Sequence, residues 1–122
     1  MIANHKADHM HRRINYKVDR AKREADINNE MSKRDVDYKS EKMRRNAHHK
    51  AEKMRAIANA QDDDNKHIVH HQADEIHRSA HHKADELRRR THQRADRDRE
   101  SVHHKTEDER RTIHQWADEM RH

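Results

Sequence analysis

Histidine carries the greatest capacity for chemistry in this sequence, at sixteen of 122 residues. His48, His70, His81, His92, His103 and His114 recur at multiples of eleven residues. Each has an acid four places on, at Glu52, Asp74, Asp85, Asp96, Glu107 and Asp118. Imidazole changes charge between about pH 5 and 8, so protonation of all sixteen would add heavily to the net charge of +5 and make association respond to pH. His5 with His9, His67 with His71, and His77 with His81 have the i,i+4 spacing that lets two imidazoles reach one ion. Two ligands fall short of the four of a structural zinc site or the three of a catalytic one. Eleven residues of helix rise about 16 Å, too far for successive repeats to share a metal. The reading is therefore solvated histidines, with no metal site and no cofactor. With no phosphate loop, no HExxH pattern and no converging nucleophile, acid and base, the chain reads as no enzyme.

The elements that position these residues are set by composition. Gly, Pro, Cys and Phe are absent, Leu occurs once, and 43% of residues are Asp, Glu, Lys or Arg. Such a chain has too few large apolar residues for an ordinary globular core. A helix needs neither of the two residues that turns favour most, so their absence selects helix over disorder or a compact fold with many reversals. Without Cys there is no disulfide framework. The N-terminus has no apolar stretch of the signal-peptide kind, and no run approaches the ~20 apolar residues that span a bilayer. A soluble protein, cytoplasmic by default, is expected.

Self-comparison reveals a repeat of eleven residues. HHQADEIHRSA, HHKADELRRRT, HQRADRDRESV, HHKTEDERRTI and HQWADEMRH follow one another without a gap from His70, and counting back in elevens reaches Asn4. Residues 1–3 form a leader, and 4–122 hold eleven tandem copies, the last truncated. Position five is acidic in all eleven copies, and position eight is basic or His in all eleven. Positions four, seven and eleven are apolar in 23 of 32 occurrences, a 3-4-4 stripe. Eleven residues over three turns give 3.67 per turn, so helices following the stripe supercoil right-handedly. In nine of eleven copies the acid at position five precedes a base or His at position nine, as in Asp8 with Arg12 and Glu41 with Arg45, and each pair supports the helix by about 0.2–0.5 kcal/mol.

In that stripe and its unbroken phase the sequence resembles the hendecad coiled coils, relatives of heptad coiled coils that form parallel right-handed bundles in stalks and filaments. Late embryogenesis abundant proteins and apolipoprotein or perilipin helices are similar in period only. The resemblance implies an all-α fold: one long continuous helix assembling into a right-handed parallel coiled-coil bundle or filament of three or four strands.

The expected oligomer core is Ala7, Met10, Ile14, Val18, Val36, Met43, Ala47, Ala51, Met54, Val69, Ala73, Ile76, Ala80, Ala84, Leu87, Val102, Ile113 and Met120. Asn29, Ser32, Asp62, Asn65, Asp98 and Glu109 interrupt the stripe as expected polar core layers that fix register. The stretch 59–65, rich in Asn and Asp, is the one place for a helical hairpin to turn. Against a turn there, the eleven-residue phase runs unshifted from Ala58 to Val69. The function expected is structural: a homo-oligomeric rod or filament with no small-molecule substrate. Two alternatives rank behind it. An amphipathic helix on a lipid surface would use the Lys and Arg flanking the stripe, but the stripe is rich in Ala and poor in Leu, Phe and Trp. Non-specific nucleic-acid binding would be opposed by acids on every turn.

Overall fold

The computed structural model describes residues 2–61 and 64–121, with side chains from residue 4 onward. Among these residues there are two α-helices and no strand: α1, Ile2–Gln61, and α2, Lys66–Arg121. The single continuous helix expected from the phase is thus two helices. Asp64 and Asn65 form a turn, and the Asn65 carbonyl accepts from Ile68 N at 3.0 Å and Val69 N at 3.1 Å. Asn65 therefore stands at the N-cap of α2, a position where Asn is among the favoured residues. Unbroken phase did not exclude a break, because Asn and Asp can initiate a turn without Gly or Pro. Asp62, expected as a polar core layer, lies outside the described residues.

The chain divides into two compact units. Unit 1 pairs the part of α1 up to Met31 with the part of α2 from Gln93, and unit 2 comprises Ser32–His92. Within each, the two helical segments run antiparallel. Moving eleven residues forward along α1 moves the contact eleven back along α2, as from Asp26 with His103 to Asn15 with His114 in unit 1.

Burial follows the repeat. On α2 the buried residues are Ala73, Ala84, Ala95, Thr106 and Ala117, all at position four. On α1 they are Ala7, Val18, Ser40 and Ala51 at position four, and Ile14, Ala25, Val36, Ala47 and Ala58 at position eleven. Small side chains on α2 bring its backbone close to the Val and Ile of α1, so packing rests on close approach rather than on large apolar area. Val18 and Ser40 are the largest fully buried side chains. Both buried hydroxyls are satisfied: Ser40 Oγ donates to the Ala84 carbonyl at 3.1 Å, and Thr106 Oγ1 to the Val102 carbonyl of its own helix at 2.8 Å.

The expected core thus sorts into two sets. Ala7, Ile14, Val18, Val36, Ala47, Ala51, Ala73 and Ala84 are buried. Met10, Met43, Met54, Val69, Ile76, Ala80 and Ile113 are half-buried, while Leu87, Val102 and Met120 are exposed. Among the interrupting residues, Ser32, Asn65, Asp98 and Glu109 face solvent in the chain. Asn29 is half-buried and donates to Asp96 Oδ1 across the pair at 3.0 Å.

Candidate functional site: a polar flank and an open apolar flank

At 3.67 residues per turn, position four has positions eight, one and five on one side of it and eleven, seven and three on the other. In both units the first flank is polar and closed. Position-eight bases of α1 meet position-five acids of α2, and the reverse pairing also occurs. In unit 1 Lys22 pairs with Glu107, Arg121 with Asp8, His11 with Asp118 at 3.1 Å and Arg110 with Asp19 at 3.7 Å. In unit 2 Arg44 pairs with Asp85 and Arg55 with Asp74. Arg44 Nε is buried and makes no hydrogen bond. Of the expected i,i+4 pairs, Glu41 with Arg45 at 3.5 Å and His48 with Glu52 at 3.1 Å are present on α1, whereas on α2 Arg89 turns to Glu86 and Arg111 to Asp108, three residues back.

The position-one histidines of α2 lie on this flank, half-buried, and four of them reach the position-one residue of α1. In unit 1 His114 Nε2 lies 3.0 Å from Asn15 Oδ1 and His103 Nε2 lies 2.9 Å from Asp26 Oδ1. In unit 2 His92 Nε2 lies 3.0 Å from Asp37 Oδ1 and His70 Nε2 lies 3.0 Å from Asn59 Oδ1. The Asp26 carboxylate also accepts from Arg99 Nε at 2.6 Å, and that of Asp37 from Arg88 Nε at 2.8 Å. The position-one column of α1, Asn15, Asp26, Asp37, His48 and Asn59, is therefore the acceptor complement of the histidine column, with His48 its one exception. The sequence carried this signal in the contrast between Asn and Asp in the early copies and His in the late ones. It becomes legible only when the two halves are set against each other antiparallel.

The electrostatics follow from these contacts. Hydrogen bonds from Arg110 and then Lys22 hold the Glu107 carboxyl down to about 2. Hydrogen bonds from Arg99 and His103 lower Asp26 from the ordinary value. At Asp37 burial pulls upward, but hydrogen bonds from His92 and Arg88 and their charges outweigh it, and the carboxyl is lowered. Burial, with the charges of His11 and Arg110, lowers the His114 imidazole against the pull of Asp118. The His11 and His114 rings stack with centroids 4.3 Å apart.

In unit 2, His77 and His81 bring their Nε2 atoms to 3.3 Å, and the His48 ring stands 5.7 Å from that of His77. Among the described residues no group of three or more His, Asp or Glu side chains is arranged to hold a metal ion. Of the other i,i+4 pairs, His71 turns to Glu75 at 3.3 Å.

The second flank is open and apolar. In unit 1 a groove of about 610 Å³ is floored by Ile14, Ile113 and Trp116 and walled by Lys17, Lys105, Asp108 and Glu109. In unit 2 a groove of about 710 Å³ is floored by Met43, Met54, Ile76 and Ala80 and walled by Glu75 and Lys83. The unit 2 groove carries half-buried position-seven residues with Ala80, and the unit 1 groove carries half-buried Ile113 and exposed Trp116 beside the buried Ile14. Position seven stays uncovered because it lies further around the helix from the position-four line than position eleven does, and even the small Ala21 there is only half-buried.

Among the described residues no helix is long and apolar enough to cross a membrane. No family model matches the chain, and no curated protein or solved structure matches it.

Proposed function

We propose that this is a structural, self-associating helical protein, and that copies join through the open apolar flank to build a larger coiled-coil assembly. One observation carries the reading: in each unit, large apolar side chains at repeat spacing stay half-exposed on one flank, while the other flank is closed by ion pairs. A second copy suits this flank because both signs of charge line each groove, Lys17 and Lys105 beside Asp108 and Glu109 in one and Lys83 beside Glu75 in the other. A patch of mixed sign can meet its own copy across a two-fold axis with each base facing an acid. The eleven-residue stripe would lead associated helices into a right-handed supercoil. Parallel or antiparallel association between copies fits the stripe equally well; within each unit the segments are antiparallel.

The test is sedimentation velocity and light scattering over a concentration series, with circular dichroism on the same samples. The expected result is a helical species whose mass rises with concentration, and whose association, in samples never unfolded and refolded, is abolished by Ile76→Glu with Ile113→Glu while helicity persists. A monomer at every concentration that gains helix or binds only on anionic vesicles would overturn it and promote the lipid-surface alternative. A steep salt-dependent affinity for duplex DNA in place of self-association would promote the nucleic-acid alternative.

A further inference from the structure

The polar flank and buried line that join α1 to α2 are open to a second use. We infer that α1 of one copy pairs with α2 of a second copy in the register that operates within each unit, so that the protein exchanges reciprocally between helix pairing inside one copy and an antiparallel dimer. This does not rest on the open apolar flank, since the exchanged form would use the contacts already described and leave that flank as it is.

Three observations point to it. The first is phase. A hairpin places no demand on the spacing between the last buried residue of α1 and the first of α2, because a turn can absorb any offset. An uninterrupted helix does place one, since its buried positions must stay on one line. Ala58 and Ala73 are those two residues, at positions eleven and four of the repeat, and no residue has been gained or lost in the count between them.

The second is the symmetry of the register. Contacts step away from the turn in equal elevens on both helices, from Asn59 with His70 to Asp37 with His92 and from Arg55 with Asp74 to Arg44 with Asp85. Two uninterrupted helices related by a two-fold axis at the turn would reproduce each contact twice, once from each copy.

The third is the chemistry of the turn. Asp64 and Asn65 are turn formers, but in a helix interior they disfavour the conformation somewhat less than Gly and far less than Pro, and the chain contains neither of those. The turn is thus made of residues that a helix can absorb. Within the chain the two helices see each other at a high effective concentration, so exchange grows with protein concentration and with unfolding and refolding at high concentration.

The test uses the full chain in an Ile76→Glu, Ile113→Glu background, which removes apolar-flank association. Mass is followed by light scattering after refolding over a hundredfold concentration range. A dimer that increases with concentration is expected; it should rise several-fold in Asp64→Ala with Asn65→Ala, and vanish when three glycines are inserted between Asp64 and Asn65. Because the chain has no cysteine, Ser40→Cys with Ala84→Cys reports which copies are joined. Bonds between copies are expected in the alanine variant and bonds within one copy in the glycine insertion. A monomeric alanine variant at every concentration, or a dimer that survives the glycine insertion unchanged, would overturn the exchange. Neither result bears on association through the apolar flank, which is read in the unsubstituted background.

Discussion

Ala80 and Ala84 stand four residues apart on α2, and the same substitution should act on them with opposite consequences. Ala84 is 0% exposed, and its carbonyl accepts the Ser40 hydroxyl from across the helix pair. Ala80 is half-buried and lines the unit 2 groove. Leucine adds three carbons, worth about 2.4 kcal/mol at about 0.8 per buried CH₂ where there is room. In a loosely packed rod with an Ala layer at each stripe position, both substitutions would stabilise. In the antiparallel pair, Ala84→Leu must push the α2 backbone away from α1 or take a strained rotamer, and overpacking of this kind destabilises by about 1–3 kcal/mol. Helix propensity separates Ala from Leu by only a few tenths of a kcal/mol, so it does not decide the sign. Ala80→Leu should leave the stability of the hairpin within about 0.5 kcal/mol and tighten association through the flank. Urea unfolding followed by the helix signal at low protein concentration separates the cases. An Ala84→Leu chain as stable as the parent, or more so, would refute close approach at position four; equal losses from both substitutions would refute the assignment of flanks.

The other expectations concern charge and capping. The His114 imidazole is lowered in the folded chain from its ordinary 6.5, so the unfolded chain binds more protons in the window below that value. Its contribution to stability is present above pH 6.5 and lost as the pH falls through the lowered value, and His114→Gln should lose less than the parent between pH 7.5 and 5 in urea titrations. Glu107 has the opposite charge and a carboxyl held at about 2, so its contribution is present above about pH 4.5 and lost as the pH falls toward 2. Glu107→Gln should flatten the acid limb of a thermal-melt pH profile. Asp26→Ala removes the acceptor shared by Arg99 and His103, and on this solvent-screened flank urea unfolding should show a small loss that shrinks further in high salt. Asn65→Ala should destabilise the start of α2 by about 1 kcal/mol, read as faster amide exchange at Ile68 and Val69.

Helicity was legible from composition and spacing, because the absence of Gly and Pro and the 3-4-4 stripe have a local cause. Position four was legible only as one of three stripe positions: Ala73 and Ala84 were expected in the core and Ala95 and Ala117 were not, because small residues at a point of closest approach stand out only against a partner helix. The place of a break was legible at 59–65, but the unshifted phase was weighed against it, and Asn65 can cap a new helix without disturbing the count of residues. Position seven was weighted toward the core by the size of Met54 and Leu87, although its place around the helix, beyond position eleven from the contact line, keeps these side chains from full burial. The acids at position five were read against bases four residues on, because i,i+4 is what one helix offers. The antiparallel pair also gives Asp85 to Arg44 and Glu107 to Lys22. The histidines were read as solvated surface, and their acceptors on α1 emerge only once direction and register are known.

The separation of partners along the chain orders the folding reaction. Asn59 and His70 are 11 residues apart, whereas Asp8 and Arg121 are 113 apart. Closing a short loop costs less entropy than closing a long one, so contacts beside the turn form early and pairing spreads outward like a zipper. A zipper built on identical teeth has a characteristic hazard. Started one repeat out of step, it still offers every position-five acid a position-eight base and every buried Ala a matching line. What distinguishes the correct start is the irregular column Asn15, Asp26, Asp37, His48 and Asn59: one repeat out of step, an acid is withdrawn from His103 and presented to His81. Folding of this chain should therefore show a slow phase from slipped hairpins, lengthened by making that column uniform and left unchanged by substitutions on the apolar flank.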